Sequence, residues 1–117
     1  MKLIIPGTLP TMNEIVELSK QHWSKYSGMK KQYTALVEIS ANSLPNLPQA
    51  DYVITWYCKD KRQDKDNIMA GQKFIFDGLM AAGKIKNDGW KQVRDVLHRF
   101  EVDKKNPRVE VEIKEVS

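Results

Sequence analysis

The chain has 117 residues, 41% hydrophobic, with 29% charged and a net charge of +4, which fits one small-cored domain and a polyanionic partner. One cysteine, Cys58, and two histidines, His22 and His98, exclude an internal disulfide and a Cys/His zinc site. No stretch approaches the roughly 20 apolar residues of a membrane span, and the apolar start Met1–Pro6 is too short for a signal peptide. A cytoplasmic protein is expected, and a chain this small makes a dimer a reasonable expectation.

In chain order, residues 1–6 read as a strand closed by Pro6-Gly7, and 8–13 as a loop containing Pro10. Helical spacing follows over 14–20, with Ile15 and Leu18, and again over 27–40. There Met29, Tyr33, Leu36 and Val37 share a face opposite Lys30, Lys31 and Glu38. Residues 42–48 break the pattern with two prolines. Residues 51–58 then read as a strand, apolar on both faces and therefore central or covered on both sides. Cys58 ends it as a packing residue.

Residues 59–65 are a charged loop, and a single helix is predicted over 66–82 with Gly83 as its C-terminal cap. Asn87-Asp88-Gly89 signals a turn. Strands are expected over 92–102 and 108–115, joined at Asn106-Pro107 as a hairpin. Val109, Val111 and Ile113 face one way in the second, and Glu110, Glu112 and Lys114 the other. Trp56 is expected in the core, packing is the better reading for Trp90, and His98 is placed in the core or at an edge. The order β-α-α-β-α-β-β implies a single α+β domain over 1–117, a mixed sheet packed by helices.

The chemistry concentrates at Lys61-Arg62-Gln63-Asp64-Lys65-Asp66-Asn67, where a strand gives way to a helix. Carboxylates at i and i+2 point the same way in extended backbone and can reach one hard cation. Mg²⁺ takes one or two protein carboxylates and leaves its other positions to water and phosphate. The competing reading is an ordinary helix cap, since aspartate is favoured at helix starts. That accounts for one of Asp64 and Asp66, not for both together with Asn67. A calcium loop of the EF-hand type fails, because Ile68 and Met69 stand where an oxygen ligand and a glycine are required. If 66–82 is one helix at about 100° per residue, Lys73 and Asp77 return to the face of Asp66. A solvated amphipathic face with a Lys73–Asp77 pair accounts for that line equally well. Spacing leaves open whether Asp88 reaches Asp64. Lys59, Lys61, Arg62, Lys65, Lys84, Lys86, Lys91 and Arg94 surround these acids in the sequence. Acids for a metal and bases for phosphates are what a metal-dependent nuclease needs.

At these residues the sequence resembles the RusA family of Holliday junction resolvases. The shared pattern is Lys61-Arg62, then Asp64-Lys65-Asp66-Asn67, Lys73, Phe76-Asp77-Gly78-Leu79, Ala82-Gly83 and Asn87-Asp88. A Pro-containing loop ending in Asn13 adds a weaker match. The chain departs from the best-known form of the family in one respect. There the lysine falls one turn after the D-x-D-N aspartate, a place held here by Ala70, and Lys73 lies a further turn along. The resemblance implies a homodimer acting on four-way DNA junctions with Mg²⁺ or Mn²⁺, nicking two opposed strands symmetrically, often phage- or prophage-encoded and working in recombination and repair. It maps metal-associated aspartates to Asp64, Asp66 and Asp88 and a catalytic lysine to Lys73. DNA contacts are expected from Lys61, Arg62, Lys65, Asn67 and Asn13. The alternatives are a junction-binding accessory protein that does not cut and a metal-dependent nuclease of broader branched-DNA specificity.

Overall fold

The structure is a computed structural model and describes residues 1–116. Its elements are β1 (Lys2–Pro6), α1 (Met12–Gln21), α2 (Trp23–Ser40), β2 (Ala50–Cys58), α3 (Lys65–Met69), α4 (Gln72–Ala81), β3 (Val93–Val102) and β4 (Arg108–Glu115). With α3 and α4 taken as one broken helical segment, this is the expected α+β order. Helix α1 starts two residues before the predicted spacing, because Thr11 caps it by accepting the Glu14 N–H.

The four strands form one mixed sheet in the order β1-β4-β2-β3. β4 runs antiparallel to both β1 and β2, and β3 runs parallel to β2 from Ala50↔Val93 to Cys58↔Val102. The alternation read in β4 is realised: Val109, Val111 and Ile113 are buried, against Leu3 and Ile5 of β1 and Tyr52, Ile54 and Trp56 of β2 on the same face. Helices cover that face, with α2 packed on α4 and β1. The other face is solvated and carries Lys2, Ile4, Glu110, Glu112, Leu97 and Arg99. β2 is central, as expected, but its two faces are unequal, buried alternating with half-buried.

The hairpin between the last two strands is not formed. β2 lies between β3 and β4, so residues 103–107 step across its end, where the Asp103 N–H bonds the Cys58 carbonyl at 2.8 Å. Parallel strands cannot be joined by a tight turn and need a crossover. The segment carrying α3 and α4 is that crossover, and it places β3 on the free side of β2.

The predicted helix over 66–82 is broken at Ala70-Gly71, where the chain tightens into i→i+3 bonds from Gly71 N to Ile68 O and from Phe74 N to Gly71 O. A Cβ at Gly71 would lie 3.0 Å from Leu9 Cβ and 3.1 Å from the Trp56 ring, so this is where the helical segment presses on the N-terminal loop and the sheet. Gly83 is the expected cap, at φ +72°, with Lys84 N bonded to Leu79 O and Gly83 N to Met80 O. Trp90 does not pack. It is 96% exposed in the turn before β3, whereas Trp56 is 3% exposed.

Candidate active site

The carboxyl end of β2 delivers the chain into the charged loop and then into α3. Asp64 occupies the N-cap position of α3 in extended backbone, yet its side chain makes no capping bond. The capping explanation therefore does not consume this carboxylate, which is exposed. Asp66 lies in the first helical turn and accepts the Asn67 N–H at 2.9 Å.

Asn67 is the buried polar residue of the site, 8% exposed. Its Oδ1 accepts the Asn13 N–H at 2.9 Å, and its Nδ2 donates to Gln63 Oε1. It is a capping residue, but for α1 and not for its own helix: the Asn13 N–H is one of the first-turn donors that no intrahelical carbonyl satisfies. One amide thus ties the first turn of α1, the charged loop and α3 together. No periodicity in the sequence marks Gln63, because its place in this tie depends on where Asn67 points.

Two clefts meet at Asp64. The first, about 400 Å³, is walled by Asn13, Arg62, Gln63, Asp64, Asp66 and Asn67. The second, about 640 Å³, includes Asp64, Lys61, Lys65, Phe100, Glu101 and Val102. It opens at the carboxyl ends of the parallel strands β2 and β3, where ligands bind in open α/β sheets. Lys65 Nζ stands 5.3 Å from the centre of the Phe100 ring, and the Arg62 N–H is held by Asp60 Oδ1 at 3.0 Å. Neither Asp64 nor Asp66 forms an ion pair among the described residues.

Lys73 lies beyond the break, exposed on α4, with its Nζ 3.7 Å from Asp77 Oδ2. It walls neither cleft. Asp88 lies at the other end of the sheet. Gln92 O accepts the Ala50 N–H at the start of β2, and Asp88 precedes it, whereas Asp64 follows the end of β2. The nine residues of β2 put roughly 26 Å between those ends, at about 3.3 Å per residue. Accordingly, no three Asp, Glu, His or Cys side chains converge at metal-binding range among the described residues. Of the three aspartates of the family pattern, Asp64 and Asp66 wall one cleft.

The neighbouring titratable groups serve packing. Burial, and then Asp60, push the Cys58 thiol up, so it is a poor nucleophile. His98 Nδ1 accepts the Trp56 indole N–H at 3.0 Å, which leaves Nε2 to donate to Gln72 Oε1 at 3.2 Å. Burial lowers the His98 pKa, and the neutral ring is the form these two bonds require. No helix among the described residues is long and apolar enough to cross a membrane.

A comparison with curated proteins found no match. The family described as Endodeoxyribonuclease RusA matches residues 11–114, which include β2, the charged loop, α3, α4 and the Asp88 turn. The chain belongs to the RusA family of endodeoxyribonucleases.

Proposed function

We propose that this protein resolves four-way DNA junctions by symmetric paired nicks, as a homodimer that uses Mg²⁺ or, in its place, Mn²⁺. Family membership supports endonuclease action on branched DNA. The observation that carries the metal dependence is the uncapped carboxylate of Asp64, sharing a cleft with Asp66, neither of them in an ion pair among the described residues. Two carboxylates fit the ligand demand of hydrated Mg²⁺. When bound, the metal supplies Lewis acidity and a water of lowered pKa. Asp64 and Asp66, which wall one cleft, would hold it; Asp88 is assigned to the same set by the family resemblance and lies at the other end of the sheet of its own chain. Lys61, Arg62 and Lys65 hold the phosphates that enter the two clefts. Asn67 keeps Asn13 and Gln63 in register with the aspartates, and Lys73 offsets charge that builds on the phosphate. A phage or prophage origin fits this activity.

The test is Asp64→Asn. On a synthetic four-way junction in Mg²⁺, cleavage should be abolished, while junction binding measured without metal is retained or tightened by the removal of a negative charge. Cleavage by this variant at the wild-type rate would overturn the assignment. Wild-type binding without cutting, in either metal, would make the protein a junction-binding accessory.

A further inference from the structure

We infer that Trp90 is a stacking platform for a DNA base at the branch point, and that it favours a junction over continuous duplex. Its placement beside the cleaved phosphate rests on the nuclease reading above, in which Asp88 belongs to the metal set.

Trp90 is 96% exposed, more than any other large apolar side chain among the described residues. A single exposed apolar residue needs no explanation by itself. This one is held out by its backbone. Gly89 O accepts the N–H groups of Gln92 and Val93 at 3.2 and 3.0 Å, so Trp90 is the corner residue of a tight turn. The turn is tied down on both sides. Before it, Ile85 is buried and Lys84 O accepts the Leu47 N–H at 2.7 Å. After it, Gln92 O accepts the Ala50 N–H at 3.1 Å. The indole therefore stands on a fixed stem, and only its two side-chain torsions remain to be ordered when a ligand covers it.

The surrounding charge identifies the ligand. Residues 84–92 contain three lysines, Lys84, Lys86 and Lys91, against one acid, Asp88. None of these lysines forms an ion pair among the described residues, whereas Arg94 is taken by Asp51 at 2.6 Å. Lysine is depleted at protein–protein interfaces. Cations for phosphates beside an aromatic face for bases are what sites for unpaired nucleic acid combine.

Stacking also separates a junction from a duplex. Inside a continuous duplex each base has a neighbour on both faces, and an indole finds no free face. At a branch point the stacks end and a base face is open. Asp88 precedes Trp90 by two residues, at most about 7 Å along the backbone. Successive base pairs rise about 3.4 Å. The ring thus reaches bases within a few steps of the phosphate that Asp88 addresses, and stacking there fixes the distance between branch and cut.

The test is binding without metal, so that nothing is cut. Trp90→Ala should bind a synthetic four-way junction about tenfold more weakly, and a duplex of the same sequence as tightly as the wild type. Trp90→Phe keeps a ring face and should recover most of the junction affinity. In a Trp23→Phe background the remaining indoles are Trp90 and Trp56, which is 3% exposed. There the junction should quench tryptophan emission, the duplex should not, and adding Trp90→Phe should remove the quenching. Because the side chain is exposed, Trp90→Ala should melt and sediment as the wild type does. Unchanged junction affinity, or an equal loss on duplex, overturns the inference. Lost self-association also overturns it, by making Trp90 a contact between protein chains. Each of these results leaves the nuclease reading standing, since that depends on Asp64→Asn. Cleavage by Asp64→Asn would instead remove the placement beside the cut and leave the stacking measurements unchanged.

Discussion

At the scale of single residues, the site depends on amides as much as on acids. Asn67 offers one acceptor and one donor to two different segments, and both are used. Asn67→Ala leaves the Asn13 N–H without its partner in a part-buried place. We expect a destabilisation of about 1–3 kcal/mol in urea unfolding, the desolvation cost of an unpaired buried donor. Cleavage should fall with it, because Asn13, Gln63 and the aspartates lose their common tie. His98 gives a pH prediction. Its folded pKa lies below the ordinary value of 6.5, so the unfolded chain takes up a proton first as pH falls. Its contribution is fully present above about pH 6.5 and is lost as pH drops through that value towards the folded pKa. The wild-type melting temperature should therefore fall between about pH 7 and pH 5 more steeply than that of His98→Gln.

At the scale of elements, the decisive packing is between α2 and α4. A Cβ at Gly78 would lie 2.4 Å from two atoms of the Val37 side chain, which is fully buried. The backbones approach that closely because no side chain stands between them. Gly78→Ala forces the helices apart and should destabilise by about 1–3 kcal/mol, as overpacked cores do, against the small gain expected from alanine's helix propensity. Thermal unfolding decides the sign. The break at Ala70-Gly71 is also an element-scale fact. It separates the turn that carries Asp66 from the one that carries Lys73, so a single helical wheel does not describe their relation. The Lys73–Asp77 pair survives because both residues lie on α4.

At the scale of the whole molecule, the crossover between β2 and β3 sets the placement of charge. It gathers Lys61, Arg62 and Lys65 around Asp64 at one end of the sheet and leaves Asp88, with the exposed Trp90, at the other. Junction binding should weaken with added salt. In metal-free titrations, Arg62→Ala should reduce the log–log salt slope by about 1 for each phosphate that Arg62 neutralises. An unchanged slope would remove Arg62 from the DNA surface.

The sequence by itself determined what depends on neighbours along the chain. The 2-residue alternation of β4, the apolar face of α2, the glycine cap at Gly83 and the D-x-D-N cluster are local patterns, and each reappears in the fold. The family pattern was legible for the same reason, since most of its residues lie in one short stretch. Only the tertiary structure decided which strands are neighbours, because pairing is chosen by the whole sheet. It set β2 between β3 and β4 and so removed the hairpin that Asn106-Pro107 suggested. It broke the helix at Gly71, where packing against Leu9 and Trp56 outweighs helical periodicity. It also separated Asp88 from Asp64, since a parallel crossover returns the chain to the opposite end of the sheet.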